Sequence, residues 1–288
     1  IPTCVGLGPT RVLAKAANHL AKKRAEMDGV CDLTDPERRA TLLATLAIDD
    51  VWGIGRALSA RLATHGVRNA AQLAAMPPKS ARQILSVTGE RIALELSGVH
   101  CSALEITPPA KKGIAVTRSF GRPVTTLAEM EQAVRTHAVR AGEKLRRNGR
   151  AAPHIQVFYF TSRHRNAPQR SVAGIEHFPV ATSDSMALAA AAGRVARRIW
   201  ADGFIYAKAG VMLEGLLDPA DAVPDLWHTP DPRRDELMRA MDAVNMRFGR
   251  NMLAPAGVTY QRPWSLKQDL RSPRWTTRLD EVPRVMAR

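Results

Sequence analysis

Two glycines one residue apart, Gly53-Ile54-Gly55, carry the most specific chemical signal in this chain. Glycine admits backbone torsions that a Cβ forbids, so the pair can bend the chain sharply. Beyond it Leu58, Leu62 and Ala63 recur at helical spacing, with Arg56 and Arg61 between them. A helix that opens on such a bend turns unpaired N–H groups outward, and these donors suit phosphate oxygens. A second glycine pair, Gly6-Leu7-Gly8 before Pro9-Thr10, turns a short β-like run at 3–7 into a helix from Arg11. Arg11 stands where a dinucleotide fingerprint needs its third glycine, and no Gly-Lys-Ser/Thr follows, so neither that fingerprint nor a Walker loop is present. Lys15 lies a turn into this helix, among the packing residues Leu13, Ala16, Ala17 and Leu20 but pointing away from them. Taken alone it is a solvated helix lysine. Asp49-Asp50 offers a carboxylate pair for a metal, yet adjacent carboxylates ahead of a glycine turn more often serve as loop or capping residues. Cys4, Cys31 and Cys101 are odd in number and scattered, which fits buried thiols in a reducing compartment rather than disulfides or a zinc site.

The balance of charge narrows the partner. Forty-two Lys and Arg face 27 Asp and Glu, a formal net charge of +15 with a pI near 10.6. Such a chain is too basic for a neutral cytosolic enzyme of small anions; its natural partner is a polyanion, and nucleic acid suits it better than a membrane. No apolar run approaches the length of a membrane span and no secretory signal opens the chain, so a cytoplasmic location is expected. Residue 1 is Ile and the chain opens inside a β-like run, as expected of a chain truncated at its N-terminus.

The elements that must position these residues fall into two kinds. Helices dominate as far as residue 106: Asp35-Pro36 opens one, the glycine bend another, and Asn69 caps a short one with Ala70, Leu73 and Ala74. One further helix is predicted over 77–100, with Ile84, Leu85, Val87, Ile92, Leu94 and Leu96 inward. The proline-rich, charged stretch 106–113 reads as a linker. After it the pattern is β-α-β-β-α-β: a strand at 114–120, a helix capped by Thr126, strands at 155–162 and 171–180, a helix begun by Ser183-Asp184, and a strand at 209–217. That order predicts a four-stranded sheet with both helices on one face and the other face open. Arg118, Arg122, Arg146, Arg147, Arg150, Arg163 and Arg165 outnumber the local carboxylates, so the open sheet is expected to be arginine-laden and to face a nucleic-acid backbone. From residue 218 prolines mark another linker, bearing the exposed apolar pair Leu226-Trp227, then a helix at 234–247 and a basic, aromatic end.

Around Gly53-Ile54-Gly55 the segments resemble a helix–hairpin–helix, which holds a nucleic-acid backbone without reading bases. Taken in order, Val5-Gly6-Leu7-Gly8-Pro9-Thr10-Arg11-Val12-Leu13-Ala14-Lys15, Asp49-Asp50-Val51-Trp52-Gly53-Ile54-Gly55, Arg118-Ser119-Phe120-Gly121 and Ser272-Pro273-Arg274-Trp275 resemble the C-terminal part of Y-family translesion DNA polymerases of the UmuC type. The resemblance implies an α+β multidomain chain. Residues 1–31 would be the end of the palm, 32–106 an all-α thumb with the helix–hairpin–helix, 107–217 a little finger with one open sheet face, and 218–288 a UmuC-type extension. It implies an error-prone polymerase of the SOS response and DNA repair, with primer-template DNA as partner. Lys15 would then reach the triphosphate of the incoming nucleotide. Gly53, Ile54, Gly55 and Arg56 would hold backbone phosphates, and Arg118, Ser119 and Phe120 would lie along the major groove.

A full-length family member uses Mg²⁺ held by palm carboxylates, and no Asp occurs here between Asp50 and Asp184, nor any Ser-x-Asp-Glu. This chain alone is therefore expected to hold no metal or other cofactor and to bind DNA without polymerising. By the same resemblance its partners extend to a UmuD-type dimer, RecA and the sliding clamp. Val223-Pro224-Asp225-Leu226-Trp227 keeps only the hydrophobic pair of the clamp peptide. Two rivals stand beside this: a stand-alone helix–hairpin–helix accessory protein without polymerase activity, and a helix–hairpin–helix glycosylase. The glycosylase would need a catalytic Asp shortly after the hairpin, where none occurs.

Overall fold

The computed structural model describes residues 3–103, 106–107, 109–223, 225, 227, 231–249, 251–258, 262–266, 270 and 272–285. They fall into two compact units, Ile1–Pro108 and Pro109–Arg288.

In the first unit β1 (Val5–Leu7) pairs in parallel with β2 (Val30–Asp32), and α1 (Arg11–Lys23) connects them. Thr10 starts α1 by accepting from the Leu13 N–H at 3.2 Å, and Lys22 and Lys23 sit favourably at its negative end. Asp35 caps α2 (Pro36–Ala44), with Pro36 in the first turn where its missing N–H costs nothing. A single 3₁₀ turn, Ile48–Asp50, leads through the bend into α3 (Arg56–Thr64). Asn69 and Gln72 form a reciprocal capping box on α4 (Ala70–Ala74). Leu13, Leu20, Leu33, Leu43, Ile54, Leu62, Leu73 and Leu96 share one core, so the strand pair and the helices fold as a piece.

α5 (Pro78–Ser97) differs from the single helix the periodicity predicts. Ser86 stands at φ 75°, ψ −177° inside it, a conformation few residues other than glycine adopt. The break rotates the second half, so that Val87, expected inside, is 42 % exposed.

The second unit holds β3 (Gly113–Val124), α6 (Leu127–Arg147), β4 (Ala152–Thr161), β5 (Ser171–Thr182), α7 (Ser185–Ile199) and β6 (Tyr206–Glu214). The strands form one antiparallel sheet in the order β3-β6-β4-β5, and the fold is the α+β type with an open sheet face that the alternation implies. Along β4, Ile155, Val157 and Tyr159 are buried under the helices, while His154, Gln156, Phe158 and Phe160 face the other way and stay half-exposed. Tyr159 packs edge-on against Tyr206 at 4.8 Å, and its hydroxyl donates to the Ala196 carbonyl at 2.9 Å. α8 (Pro232–Phe248) buries Met238 and Met241. No helix among the described residues is long and apolar enough to cross a membrane.

Candidate nucleic-acid interface

The glycine bend is anchored from beneath and open above. Val51 and Ile54 are buried at 2 % and 5 % exposure, and the Ile54 N–H donates to the Val51 carbonyl at 3.0 Å. Gly53 turns the chain at φ +95°, and a Cβ there would stand 2.7 Å from Cδ1 of Ile92. The positive φ therefore favours glycine at that position. Gly55 is different. Its φ of −92° suits any residue, and a Cβ there would meet nothing within 4 Å. It begins α3 with no side-chain cap, and the N–H groups of Arg56, Ala57 and Leu58 have no partner among the described residues. These donors and the positive end of the α3 dipole face outward beside the exposed Arg56. Trp52 flanks the bend at 52 % exposure, a surface group that motif reading passes over because the residue type suggests a core position.

The turn before α1 is arranged otherwise. A Cβ on Gly6 would lie 2.2 Å from the Asn18 nitrogen, so that glycine serves the approach of strand to helix. Two of the first N–H groups of α1 are already taken: Val12 donates to the buried Glu95 carboxylate at 3.1 Å, and Leu13 to Thr10. The Thr10 hydroxyl in turn donates to the Glu95 carbonyl at 2.8 Å. An internal carboxylate thus occupies the place a phosphate would take, and nothing in the sequence near residue 10 points to it. Lys15 is exposed on α1 and makes no hydrogen bond or ion pair with the described residues.

On β3, an edge strand, Arg118 and Ser119 are exposed. Arg118 lies opposite the buried Ala209 and so points to the helix side, whereas Ser119 lies opposite Lys208 on the open side. Phe120 is no surface group. It is 9 % exposed and stacks edge-on against Trp264, so at that position only the backbone is left for a ligand. The expected arginine-laden open face also needs correction. The strands present there Thr117, Gln156, Phe158, Phe160, Met212 and Lys208, the last over the Phe160 ring at 5.7 Å. Of the arginines in that expectation, Arg122 is engaged with Glu129, Arg146 with Asp242 and Arg147 with Glu143. A count of charges in sequence cannot tell which arginines already have carboxylates.

Of the apolar pair expected in the linker, Trp227 is 83 % exposed, and Leu226 lies outside the described residues. Of the cysteines, only Cys31 is buried. Asp50 faces His19 at 3.6 Å, and the described residues contain no group of three or more His, Cys, Asp or Glu able to hold a metal. They do not fit the two-Mg²⁺ centre of a polymerase.

Residues 111–225 match the impB/mucB/samB family C-terminal domain, residues 36–67 the IMS family HHH motif, and residues 235–285 a domain of unknown function. Protein SamB of Salmonella typhimurium is 38% identical over 284 residues, covering 97% of this chain and 67% of the relative. Protein UmuC of Salmonella typhimurium is 38% identical over 285 residues, covering 98% and 68%. DNA polymerase IV of Moorella thermoacetica is 26% identical over 281 residues, covering 90% and 64%. Among solved structures a Y-family polymerase chimera of Dbh and Dpo4 superposes with a TM-score of 0.50 at 15% identity, over 73% of this chain and 57% of that one, a likeness of fold. The chain thus spans about two thirds of these curated relatives, and it belongs to the UmuC-type Y-family DNA polymerases, of which it carries the C-terminal part.

Proposed function

We propose that this chain is the DNA-gripping portion of an error-prone translesion polymerase. Residues 1–31 end the palm, 32–106 form the thumb, 107–217 the little finger and 218–288 the extension. The observation that carries the proposal is the exposed bend at Gly53–Gly55. Its second glycine is not demanded by the backbone and sits before three unpaired N–H donors. A residue that the fold does not require to be small is accounted for if a ligand comes close to it. A backbone phosphate fits, because it brings acceptor oxygens to the positive end of a helix. Arg56 beside the bend and Arg118 and Ser119 on the sheet edge add side-chain contacts to further phosphates.

Contacts of this kind hold a duplex in register without reading its bases, and so accept a damaged template. Lys15 places a mobile positive charge on the exposed face of α1, where the triphosphate of an incoming nucleotide would meet it. Phosphoryl transfer, with the Mg²⁺ it requires, belongs to the remaining third of a protein of the relatives' length. UmuD-type, RecA and clamp contacts are part of the same proposal, with Trp227 the exposed apolar group offered to the clamp.

The test is the affinity of the full chain for labelled primer-template DNA across a salt series. Several phosphate contacts give a log–log slope steeper than about −3 with little dependence on base sequence. A slope near zero overturns the proposal.

A further inference from the structure

The segment matched only by a domain of unknown function does more in the second unit than trail from it. Trp264 is 4 % exposed, meets Phe120 and His137 edge-on with centroids 5.9 Å apart in each case, and donates through Nε1 to the Gln132 side chain at 2.8 Å. Its carbonyl accepts the Gly121 N–H at 2.8 Å. A Cβ on Gly121 would stand 2.3 Å from the Ser265 carbonyl oxygen, so glycine is needed for this approach. From α8, both oxygens of Asp242 are held by Arg146 at 2.7 Å. The segment is therefore fastened at two places, to β3 at Gly121 and to α6 at Arg146.

Between these fastenings and the body of the unit lies a cleft of about 670 Å³, lined among others by Arg118, Ser119, His137, Arg262 and Trp264. The carboxylates on its wall are engaged, Glu143 with Arg140 and Arg147, and Asp242 with Arg146. The Arg118 guanidinium, by contrast, makes no hydrogen bond or ion pair with the described residues. His137 is 4 % exposed, and its Nε2 has no hydrogen-bond partner among the described residues. Burial, reinforced by the charges of Arg118 and Arg262, keeps that imidazole neutral, its pKa held down to about 4. A buried polar atom without a partner is uncommon in a folded protein, and a ligand is one thing that completes it. A guanidinium beside an imidazole whose Nε2 can carry the ring proton matches an anion that offers several acceptor oxygens in a fork.

We propose that α8, Arg262 and Trp264 build, with β3 and α6, a phosphate-binding site whose ligating groups are Arg118 and His137. The phosphate comes either from a DNA backbone leaving the sheet edge or from a free nucleotide, and only the first source rests on the function proposed above. The site gives the segment of unknown function a role: it supplies the wall that makes an edge strand into a cleft.

The test follows the His137 imidazole by NMR in the full chain while inorganic tripolyphosphate, a deoxynucleoside triphosphate or a tailed duplex is added. Tripolyphosphate is expected to saturate one site and to move the His137 resonances. Displacement by the duplex assigns the site to DNA, and tighter binding of the nucleotide assigns it to the free ligand. His137→Phe keeps a ring against Trp264 and should bind tripolyphosphate at least tenfold more weakly without losing thermal stability, whereas His137→Gln should restore part of the affinity. Unmoved His137 resonances at saturation, or equal affinity in His137→Phe, would overturn the inference and leave only a basic surface. Gly55→Ser separates the two proposals, since it should weaken DNA and leave tripolyphosphate untouched. A parent chain that takes up tripolyphosphate but no DNA overturns the gripping function alone, and one that binds DNA but no tripolyphosphate overturns this site alone.

Discussion

Serine at position 55 should make the protein more stable and a worse DNA binder, and few other substitutions here are expected to do both. Gly55 has extended-type torsions, φ −92° and ψ 174°, and open space where a Cβ would go. Serine fits without strain and gains on two counts. It caps α3 better than glycine by a few tenths of a kcal/mol. It also removes freedom from the unfolded chain, worth roughly 0.4 to 1 kcal/mol for a side chain replacing glycine. The sum is a stabilisation of about 1 kcal/mol. The serine Oγ, however, accepts from the same N–H groups that the proposal gives to a phosphate, and its Cβ stands in the path of approach. Hydrogen bonds to a charged group contribute about 1.5 to 3 kcal/mol, so affinity should fall roughly ten- to a hundredfold. Gly53→Ala is the control of opposite character. At φ +95°, with a contact of 2.7 Å to Ile92, it must lose stability. Its cost should be about 2 kcal/mol or more, most of it backbone strain. Denaturant midpoints and fluorescence anisotropy on labelled duplex measure both quantities in both variants. A Gly55→Ser protein that is stabilised yet binds DNA like the parent would show that the α3 donors hold no phosphate.

Four more outcomes follow from the same geometry. The neutral, buried His137 makes stability depend on acid: the unfolded chain takes up a proton below its ordinary pKa of 6.5, the folded one only near 4. Stability of the second unit should fall through that window by up to about 3 kcal/mol and level off below it, and denaturation of His137→Phe across pH should lack the step. Glu95→Ala should cost roughly 2 to 3 kcal/mol by leaving the Val12 N–H unpaired inside the core, while Glu95→Gln, which keeps an acceptor, should melt closer to the parent. A double-mutant cycle on Arg146 and Asp242, two-pronged and half-shielded from water, should return a coupling of about 1 kcal/mol or more, against nearly none for the exposed pair Arg278 and Asp280. In a polymerase containing this chain, Lys15→Ala should raise the nucleotide KM about tenfold and leave duplex affinity unchanged; equal losses in the two assays would make the lysine structural.

Local chemistry was legible where it acts locally. Thr126, Asp184 and Asn69 each accept from a backbone N–H two or three residues on, and each was visible as a cap before the helix it begins. The alternation in β4 was enough to assign two faces to the sheet, because one face must be apolar to bury. What escaped depends on partners far along the chain. Phe120 looks like a groove-facing aromatic until Trp264 covers it. Arg146 looks like part of one basic surface until Asp242 claims it. Ser86 escaped for another reason: a serine carries no sign of the positive φ at which it stands.

The glycines show how such ambiguity can be resolved. Sequence makes Gly6 and Gly55 look alike, each in a turn that opens a helix, and both suggest phosphate. The decisive comparison is what a side chain would meet. At Gly6 it would collide with the protein's own backbone, and the donors beyond are already bound to Glu95 and Thr10, so the fold itself accounts for that glycine. At Gly55 a side chain would meet nothing, and the donors beyond are idle. A small residue, an allowed backbone and unpaired N–H groups then coincide without an internal cause, and an external one has to be sought. The same comparison places Gly121 with Gly6, since Ser265 explains it, and turns attention from that glycine to the cleft its close approach creates. Substitution at 6 or 121 should therefore register in stability first, and at 55 in binding first.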